Sequence, residues 1–321
     1  MGKRMICLDI GGTKVLGAVF DENNNILYRI KKKTKADKGY EKVEETIIKV
    51  VEELIKEAGM NISDISALGA GAPGVINEDT GEIIYAPNIP WKNYNIKKII
   101  EDKFGVPFAI ANDVNAGTLG EWKYGAGVGK KNIVGLFVGT GVGGGLVINN
   151  RLYTGSKHAA AEIGHMVLNT EGPYCNCGQR GCLEAYSSKI AMMREIRIQI
   201  ARGSKTILKD LLGEETAVLK SKILKKAIDA KDELAVEVLD RAVYYMAAAS
   251  GSLVNIFNPD MIILGGGVIE ALGEYILPIF KGYVKRFAWP QAFEGMEIVQ
   301  SKLGDDAVMY GALAMVNRLD R

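Results

Sequence analysis

Apolar and polar positions along the chain sort into short strand-like runs and longer stretches of helical spacing. Arg4 to Asp9 alternates toward a strand, a Gly11-Gly12 turn follows, and Val15 to Phe20 resumes as an apolar strand. A turn at Asp21 to Asn25 leads into a third strand from Ile26. From Gly39 to Met60 the apolar residues Val43, Ile47, Val50, Val51, Leu54 and Ile55 share one helical face, with charges opposite. Ile65 to Ala70 reads as a strand ending in Gly71-Ala-Pro-Gly74, Val75 to Tyr85 as a hairpin, and Asn95 to Phe104 as a short helix. Val106 to Ala111 makes another strand, and a helix from Val114 to Lys123 follows Asn112-Asp113.

After Gly125-Ala-Gly127 the opening pattern returns. Ile133 to Val138 is a strand, Gly139-Thr140-Gly141-Val-Gly143-Gly144-Gly145 reads as the turn, and Leu146 to Ile148 is a strand. Asn149-Asn150 then turns into Arg151-Leu-Tyr153, as Asn23 to Asn25 turns into Ile26-Leu-Tyr28. The shared order marks an internal duplication, one copy per lobe. Leu183 to Ile200 and Asp232 to Phe257 have helical periodicity, the second with a small-residue face from Ala247 to Gly251 suited to close helix packing. Asp260 to Leu264 is a strand, Gly265-Gly-Gly267 opens a helix at Val268, and Ile298-Val299 is a short strand. Lys205 to Lys226 shows no clear pattern.

At 321 residues the chain exceeds one ordinary core, so two lobes are expected. Their bounds are set at 1–118 and 119–303, with a final helix in 304–321 packing back on the first. Forty basic residues stand against 38 acidic ones, a net charge of +2. The lysine runs Lys31 to Lys33, Lys97-Lys98 and Lys130-Lys131 are scattered and lack interleaved aromatics, which suits solvated faces better than a nucleic-acid groove. No apolar stretch reaches membrane-spanning length, and Met1-Gly-Lys-Arg is no signal peptide, so a cytoplasmic protein without membrane partners is expected.

Three of the four cysteines and one of the two histidines fall between Glu162 and Glu184, in the order His165, Cys175, Cys177, Cys182. Glycines punctuate the loop, and tetrahedral zinc needs four N/S donors converging on one point. A disulfide or plain buried thiols compete, but three thiols cannot pair evenly. Four protein ligands leave no open position, so such a zinc is structural. Glu162 and Glu184 bracket the cluster, as hydrogen-bond acceptors for a polyol or as ordinary solvated carboxylates.

The first glycine turn, Asp9-Ile-Gly11-Gly12-Thr13-Lys14, joins strand to strand and is no P-loop. It can still offer backbone N–H groups to phosphate oxygens, and Asp9 is placed to hold Mg²⁺ directly or through water. Five glycines in seven residues at Gly139 to Gly145 exceed what a hairpin needs, so that turn is read as a phosphate grip. Gly265 to Gly267, between strand and helix, has the arrangement that receives a nucleotide. Asp113 lies near a helix start, where it is either a cap or, at the carboxyl end of a strand, part of a ligand site.

Asp9-x-Gly-Gly-Thr13, Gly71-x-Pro-Gly74, Asn112-Asp113, Gly139-Thr-Gly141-x-Gly-Gly-Gly145, Glu162-x-Gly-His165 and Cys175-x-Cys177-Gly-x-x-Gly-Cys182-Leu-Glu184 together resemble the ROK family of sugar kinases and sugar-responsive repressors. Trp91-Lys-Asn-Tyr94 and Pro173-x-Cys-Asn-Cys177-Gly bring the likeness nearest to that family's ATP-dependent glucokinases.

The resemblance implies an α/β, two-lobed actin-like or hexokinase-like ATPase fold of duplicated ribonuclease-H-like domains with a structural zinc loop. It implies that Asp113 accepts the sugar hydroxyl proton, while Gly74, Asn112, Glu162, His165 and Glu184 hold the other hydroxyls. It also places ATP phosphates at Asp9, Gly11, Gly12, Thr13, Lys14, Gly139, Thr140, Gly141, Gly143 and Gly144, with Gly265, Gly266 and Gly267 near adenosine. ATP, Mg²⁺ and zinc are the expected cofactors, glucose the expected hexose, and a homodimer or homotetramer the expected assembly. Fructose, N-acetylmannosamine and allose are the alternative substrates. A repressor would need a helix-turn-helix ahead of the strand at Arg4, so a kinase is expected instead.

Overall fold

Apolar strands build two mixed five-stranded sheets. The computed structural model describes residues 4–87, 89–213 and 218–319. In the first, β1 (Arg4–Ile10), β2 (Lys14–Phe20) and β3 (Ile26–Lys33) form an antiparallel meander. The carboxylate of Asp21 closes its second turn by accepting from the amides of Asn23 and Asn25, with Asn24 left-handed at φ 64°. α1 (Tyr40–Glu57) buries Val43, Ile47, Val50, Val51 and Leu54 over β2, where a Cβ on Gly17 would stand 2.7 Å from Val50 Cγ1. β4 (Ile65–Ala72) runs parallel to β1. β5 (Val75–Asn77), β6 (Glu82–Tyr85) and β7 (Lys92–Asn95) make a separate small antiparallel sheet. β7 holds one aromatic, Tyr94, among polar residues, so no apolar alternation announces it. α2 (Ile96–Phe104) is capped by the Asn95 side chain, which accepts from the Lys98 amide at 3.0 Å. β8 (Phe108–Asn112) joins β4 in parallel and runs straight into α3 (Asp113–Tyr124). The sheet order is β3-β2-β1-β4-β8.

The second sheet repeats that plan. β9 (Ile133–Val138) pairs antiparallel with β10 (Val142–Ile148), whose neighbour is β11 (Arg151–Leu152). The helices α4 (Glu184–Ser187), α5 (Lys189–Ala201), α6 (Leu208–Leu211), α7 (Ser221–Asp229) and α8 (Glu233–Phe257) follow. β12 (Met261–Gly265) then lies parallel to β9 and leads into α9 (Gly267–Phe287), α10 (Pro290–Phe293) and β13 (Glu297–Gln300). The order β11-β10-β9-β12-β13 is that of the first sheet, strand for strand, so the duplication is a duplication of topology.

Two elements differ from expectation. Gly143, Gly144 and Gly145 are not turn residues but part of β10, and the turn is only Gly139 to Gly141. Gly144 is there for close approach, because a Cβ would stand 2.3 Å from Ile163 Cδ1 and 2.7 Å from the Ala161 carbonyl. The helix expected from Leu183 to Ile200 breaks in two at Ser188, whose hydroxyl caps α5 by accepting from the Ala191 amide at 3.1 Å. The small-residue face of α8 packs as expected: a Cβ on Gly251 would meet Phe287 Cβ of α9 at 2.5 Å. Of the stretch from Lys205 to Lys226, residues 214–217 lie outside the described residues.

Two units emerge. The first comprises the chain up to Gly129, Arg151–Ala160 and the residues from Asp305 on; the second comprises Lys130–Asn150 and Ala161–Gly304. The first continues past residue 118 because α3 runs to Tyr124 and Glu121 closes the turn behind it, accepting from the Ala126 amide at 2.8 Å. Helix α11 (Ala307–Leu319) packs on α3, β4 and β1 of the first unit. Glycines let those helices touch backbone to backbone: a Cβ on Gly120 would stand 2.2 Å from the Ala307 carbonyl, and one on Gly311 1.8 Å from the Ala116 carbonyl. No helix among the described residues is long and apolar enough to cross a membrane. Gly311→Ala must push α11 off α3, at about 1–3 kcal/mol. The expected readout is a lower urea midpoint for the first unit, and an unchanged midpoint would show that the two helices separate freely.

Candidate active site

In the first unit the β1–β2 turn is closed by the Gly11 amide donating to the Lys14 carbonyl at 2.9 Å. Thr34, fully buried just beyond β3, backs it: its amide donates to the Thr13 carbonyl at 3.0 Å and its hydroxyl donates to the Gly11 carbonyl. Asp9, at the end of β1, has its carboxyl pushed up to about 7. Desolvation is the largest cause, the charge of Asp113 adds to it, Lys14 opposes it and Asp305 adds a little. Asp9, Lys14 and Asp113 are therefore close enough to feel one another, although far apart in sequence.

At the carboxyl end of β8, Asn112 is the helix cap. Its Oδ1 accepts from the amides of Val114 at 2.9 Å and Asn115 at 3.1 Å, and its Nδ2 donates to the Gly74 carbonyl at 3.0 Å. Gly74 sits at φ 107° with a Cβ position only 2.1 Å from the Tyr85 carbonyl, so no other residue fits there. Asp113 is the first residue of α3, partly exposed, its Oδ1 accepting from the Val114 amide at 2.9 Å. Because Asn112 does the capping, the cap reading of Asp113 loses its necessity.

In the second unit the two glycine-bearing turns, Gly139 to Gly141 and Gly265 to Gly267, and the Cys/His loop form one connected group. The Gly139 amide donates to the Gly141 carbonyl at 2.9 Å, and the Gly139 carbonyl accepts from the Lys189 amide at 3.0 Å. Gly266, at φ 86°, has a Cβ position 2.5 Å from the Val138 carbonyl, which lodges the start of α9 against the glycine turn. Lys189 Nζ lies 3.0 Å, and Ser221 Oγ 3.8 Å, from the Cβ position of Gly267. Ser221 Oγ is buried without a hydrogen-bond partner. Neither residue belongs to a motif, and their only signal is three-dimensional: a cation and a hydroxyl at the amino end of a long helix, where anions bind.

Glu184 opens α4 and ties this group together. Its Oε2 accepts from the Val142 amide at 2.9 Å, and Cys175 Sγ donates toward its Oε1 at 3.6 Å. Glu162 is exposed as a residue, yet its carboxyl is pushed up, first by desolvation and further by Glu184, with His165 pulling the other way. Glu162, His165 and Glu184 are thus neighbours.

The loop fits zinc. The donor atoms of His165, Cys175, Cys177 and Cys182 all lie within 4.8 Å of one another. Cys177 Sγ is 3.7 Å from Cys182 Sγ, and Cys175 Sγ is 3.8 Å from His165 Nδ1. Zn–S bonds of about 2.3 Å give a tetrahedron with edges near 3.8 Å. With Nδ1 turned to the thiols, Nε2 points from the other side of the ring. Backbone bonds pre-shape the loop: Leu168 to Gly181 at 2.8 Å, Leu183 to Met166 at 2.9 Å and Cys175 to Gln179 at 2.8 Å. Burial pushes the Cys175 thiol up to about 12 in the metal-free chain, so ligation there must displace a proton.

The ROK family pattern matches residues 5–319. The chain belongs to the ROK family. It is 34% identical over 305 residues to a glucokinase of Halalkalibacterium halodurans, covering 95% of this chain and 92% of that one. It is 32% identical to a xylose repressor of Caldicellulosiruptor bescii, covering 86% of this chain and 68% of the repressor. The crystal structure of a ROK glucokinase from Streptomyces griseus in complex with glucose and AMPPNP superposes with a TM-score of 0.83 at 29% identity, covering 98% of this chain and 99% of that one. The fold is thus that of the ROK sugar kinases, and the family holds both enzymes and regulators.

Two outcomes follow for the site. In protein purified without chelator, one zinc per chain is expected for the wild type and none for Cys177→Ser, whose loop loosens; wild-type protein with no zinc would refute the site. Asp9 gives the second. A carboxyl raised from 3.8 to about 7 binds its proton more tightly folded than unfolded, so its contribution to stability is full below pH 4 and is lost as pH rises to about 7. In magnesium-free buffer Asp9→Asn, a neutral isostere, is expected to melt near wild type at pH 4–5 and several degrees above it at pH 8. Parallel melting curves across that range would show that Asp9 is not held neutral.

Proposed function

We propose that the protein is an ATP-dependent hexose kinase that phosphorylates glucose at its 6-hydroxyl. The observation that carries this reading is Asp113: a partly exposed carboxylate on the first turn of α3, relieved of capping by Asn112, beside a glycine turn that ends in Lys14. A carboxylate so placed can take the proton of an attacking hydroxyl, which is what phosphoryl transfer asks of a base. The glucokinase relatives support glucose as the acceptor, and the complex of the Streptomyces griseus enzyme with glucose and AMPPNP supports both ligands.

Each residue then has a role. The Asn112 amide fixes Gly74 and the start of α3, so it positions the base as much as it meets the sugar. Glu162, Glu184 and Nε2 of His165 are acceptors or donors for the remaining hydroxyls. Backbone amides of Gly11 to Lys14 in the first unit, and of Gly139 to Gly141 in the second, would hold phosphate oxygens, with Lys189 near Gly139 and the start of α9. The charge of Asp113 raises the cost of ionising Asp9, two such carboxylates suit a hard divalent cation, and Mg²⁺ held at Asp9 would neutralise phosphate charge. His165, Cys175, Cys177 and Cys182 would hold zinc, which would fix the loop that presents Glu162 and Glu184.

The test is ADP release across glucose, fructose, N-acetylmannosamine, allose and xylose, for the wild type and Asp113→Asn. Glucose is expected to give the highest kcat/KM. Asp113→Asn is expected to lose roughly 10²- to 10⁴-fold in turnover while still binding sugar. A higher kcat/KM for another hexose would replace the substrate and keep the kinase. Sugar binding without ADP release from any of them would favour a regulator of the xylose-repressor kind.

A further inference from the structure

Lysines that are scattered in sequence meet at one cleft of the first unit. Lys32 and Lys33 end β3, Lys35 follows, and Lys42 and Lys49 stand on the first and third turns of α1, with Glu45 and Thr46 between them, around a cavity of about 290 Å³. Glu45 serves both Lys42 and Lys49, and Glu53 pairs with Lys32 at 2.6 Å. Among the described residues neither Lys33 nor Lys35 has a carboxylate partner. Five ammonium groups against two carboxylates leave three positive charges facing one small volume. Lys33 also lies directly across β2–β3 from Lys14, a like-charge pair that stabilises nothing by itself. Lys35 is held left-handed at φ 59°, a costly conformation for a lysine.

Repulsion of this kind is relieved by a compact anion of three or more charges. Ammonium groups bind phosphate oxygens as point charges from any direction, without the planar fork of arginine. No aromatic residue lines the cleft, so nothing there offers a base a surface to stack on. We propose that this cleft binds an inorganic oligophosphate, at a site separate from the Gly11–Thr13 turn. The two are joined through buried side chains. Thr46 Oγ1 donates to the Lys42 carbonyl at 2.8 Å and lies 3.5 Å from the Thr34 carbonyl, and Thr34 is the residue that backs the Gly11–Thr13 turn. An anion that draws Lys33 and Lys35 together therefore acts on the two neighbours of Thr34.

Binding of tripolyphosphate to the full chain saturated with AMPPNP, so that the glycine turns proposed to hold ATP phosphates are filled, tests this by calorimetry. One ion per chain is expected at 50 mM NaCl, weakening about tenfold or more at 300 mM as the charges are screened. Lys33→Ala/Lys35→Ala is expected to weaken it about tenfold at low salt, with an unchanged melting temperature because both side chains are exposed. The proposal falls if no binding occurs at 50 mM NaCl, or if the double variant binds like wild type. It falls likewise if a single-stranded oligonucleotide binds these lysines more tightly than tripolyphosphate. None of these readouts uses turnover, so failure here leaves the kinase reading to its own test.

Discussion

The carboxylate of Glu184 and the amide of Val142 meet at 2.9 Å, and the geometry of the second unit depends on that bond. It joins the first residue of α4 to the first residue of β10, fixing the glycine turn against the Cys/His loop. A Cβ on Gly141 would stand 2.3 Å from Glu184 Oε2, so the turn must be bare for the carboxylate to reach the amide. The other carboxylate oxygen faces Cys175. When Cys175 serves as a thiolate ligand it has no proton to give, and that oxygen becomes an acceptor for another donor. One side chain thus couples the glycine turn and the Cys/His loop.

The two units share a topology but not a chemistry. Each has a β-hairpin whose turn is rich in glycine, extended by parallel strands on the same side. In the first, Asp9 precedes the turn and Lys14 follows it, so charge surrounds it. In the second, Val138 precedes the turn and Val142 follows it, and the polar groups arrive from elsewhere, from Glu184 and Lys189. The same scaffold occurs twice, and distinct loops surround each copy's turn with different groups.

Most of the architecture was legible because strands and helices here carry their periodicities openly. The misreadings each have a physical cause. Gly143 to Gly145 look like a turn, since glycine is the usual turn residue, yet Gly144 serves the close approach of Ile163 within a strand. The break at Ser188 removes only one residue from helical spacing, too little for periodicity to register, although it places the Lys189 amide on Gly139. β7 carries one aromatic residue, Tyr94, stacked on Trp91, too little for periodicity to register. The Cys/His cluster was readable because its members are local in sequence. The lysine cleft was not, because β3 and α1 meet only after folding.

Helix α11 is encoded after the whole of the second unit, yet it belongs to the first, wedged on α3 through Gly120 and Gly311. On a ribosome the earlier strands of the first sheet must wait for it. The second unit emerges complete while the first still lacks a wall. Synthesis from the amino end is therefore expected to finish the later unit before the earlier one. During that interval the faces of Ala67, Cys7 and Phe20 that α11 covers stand open to chaperones or to the wrong partner.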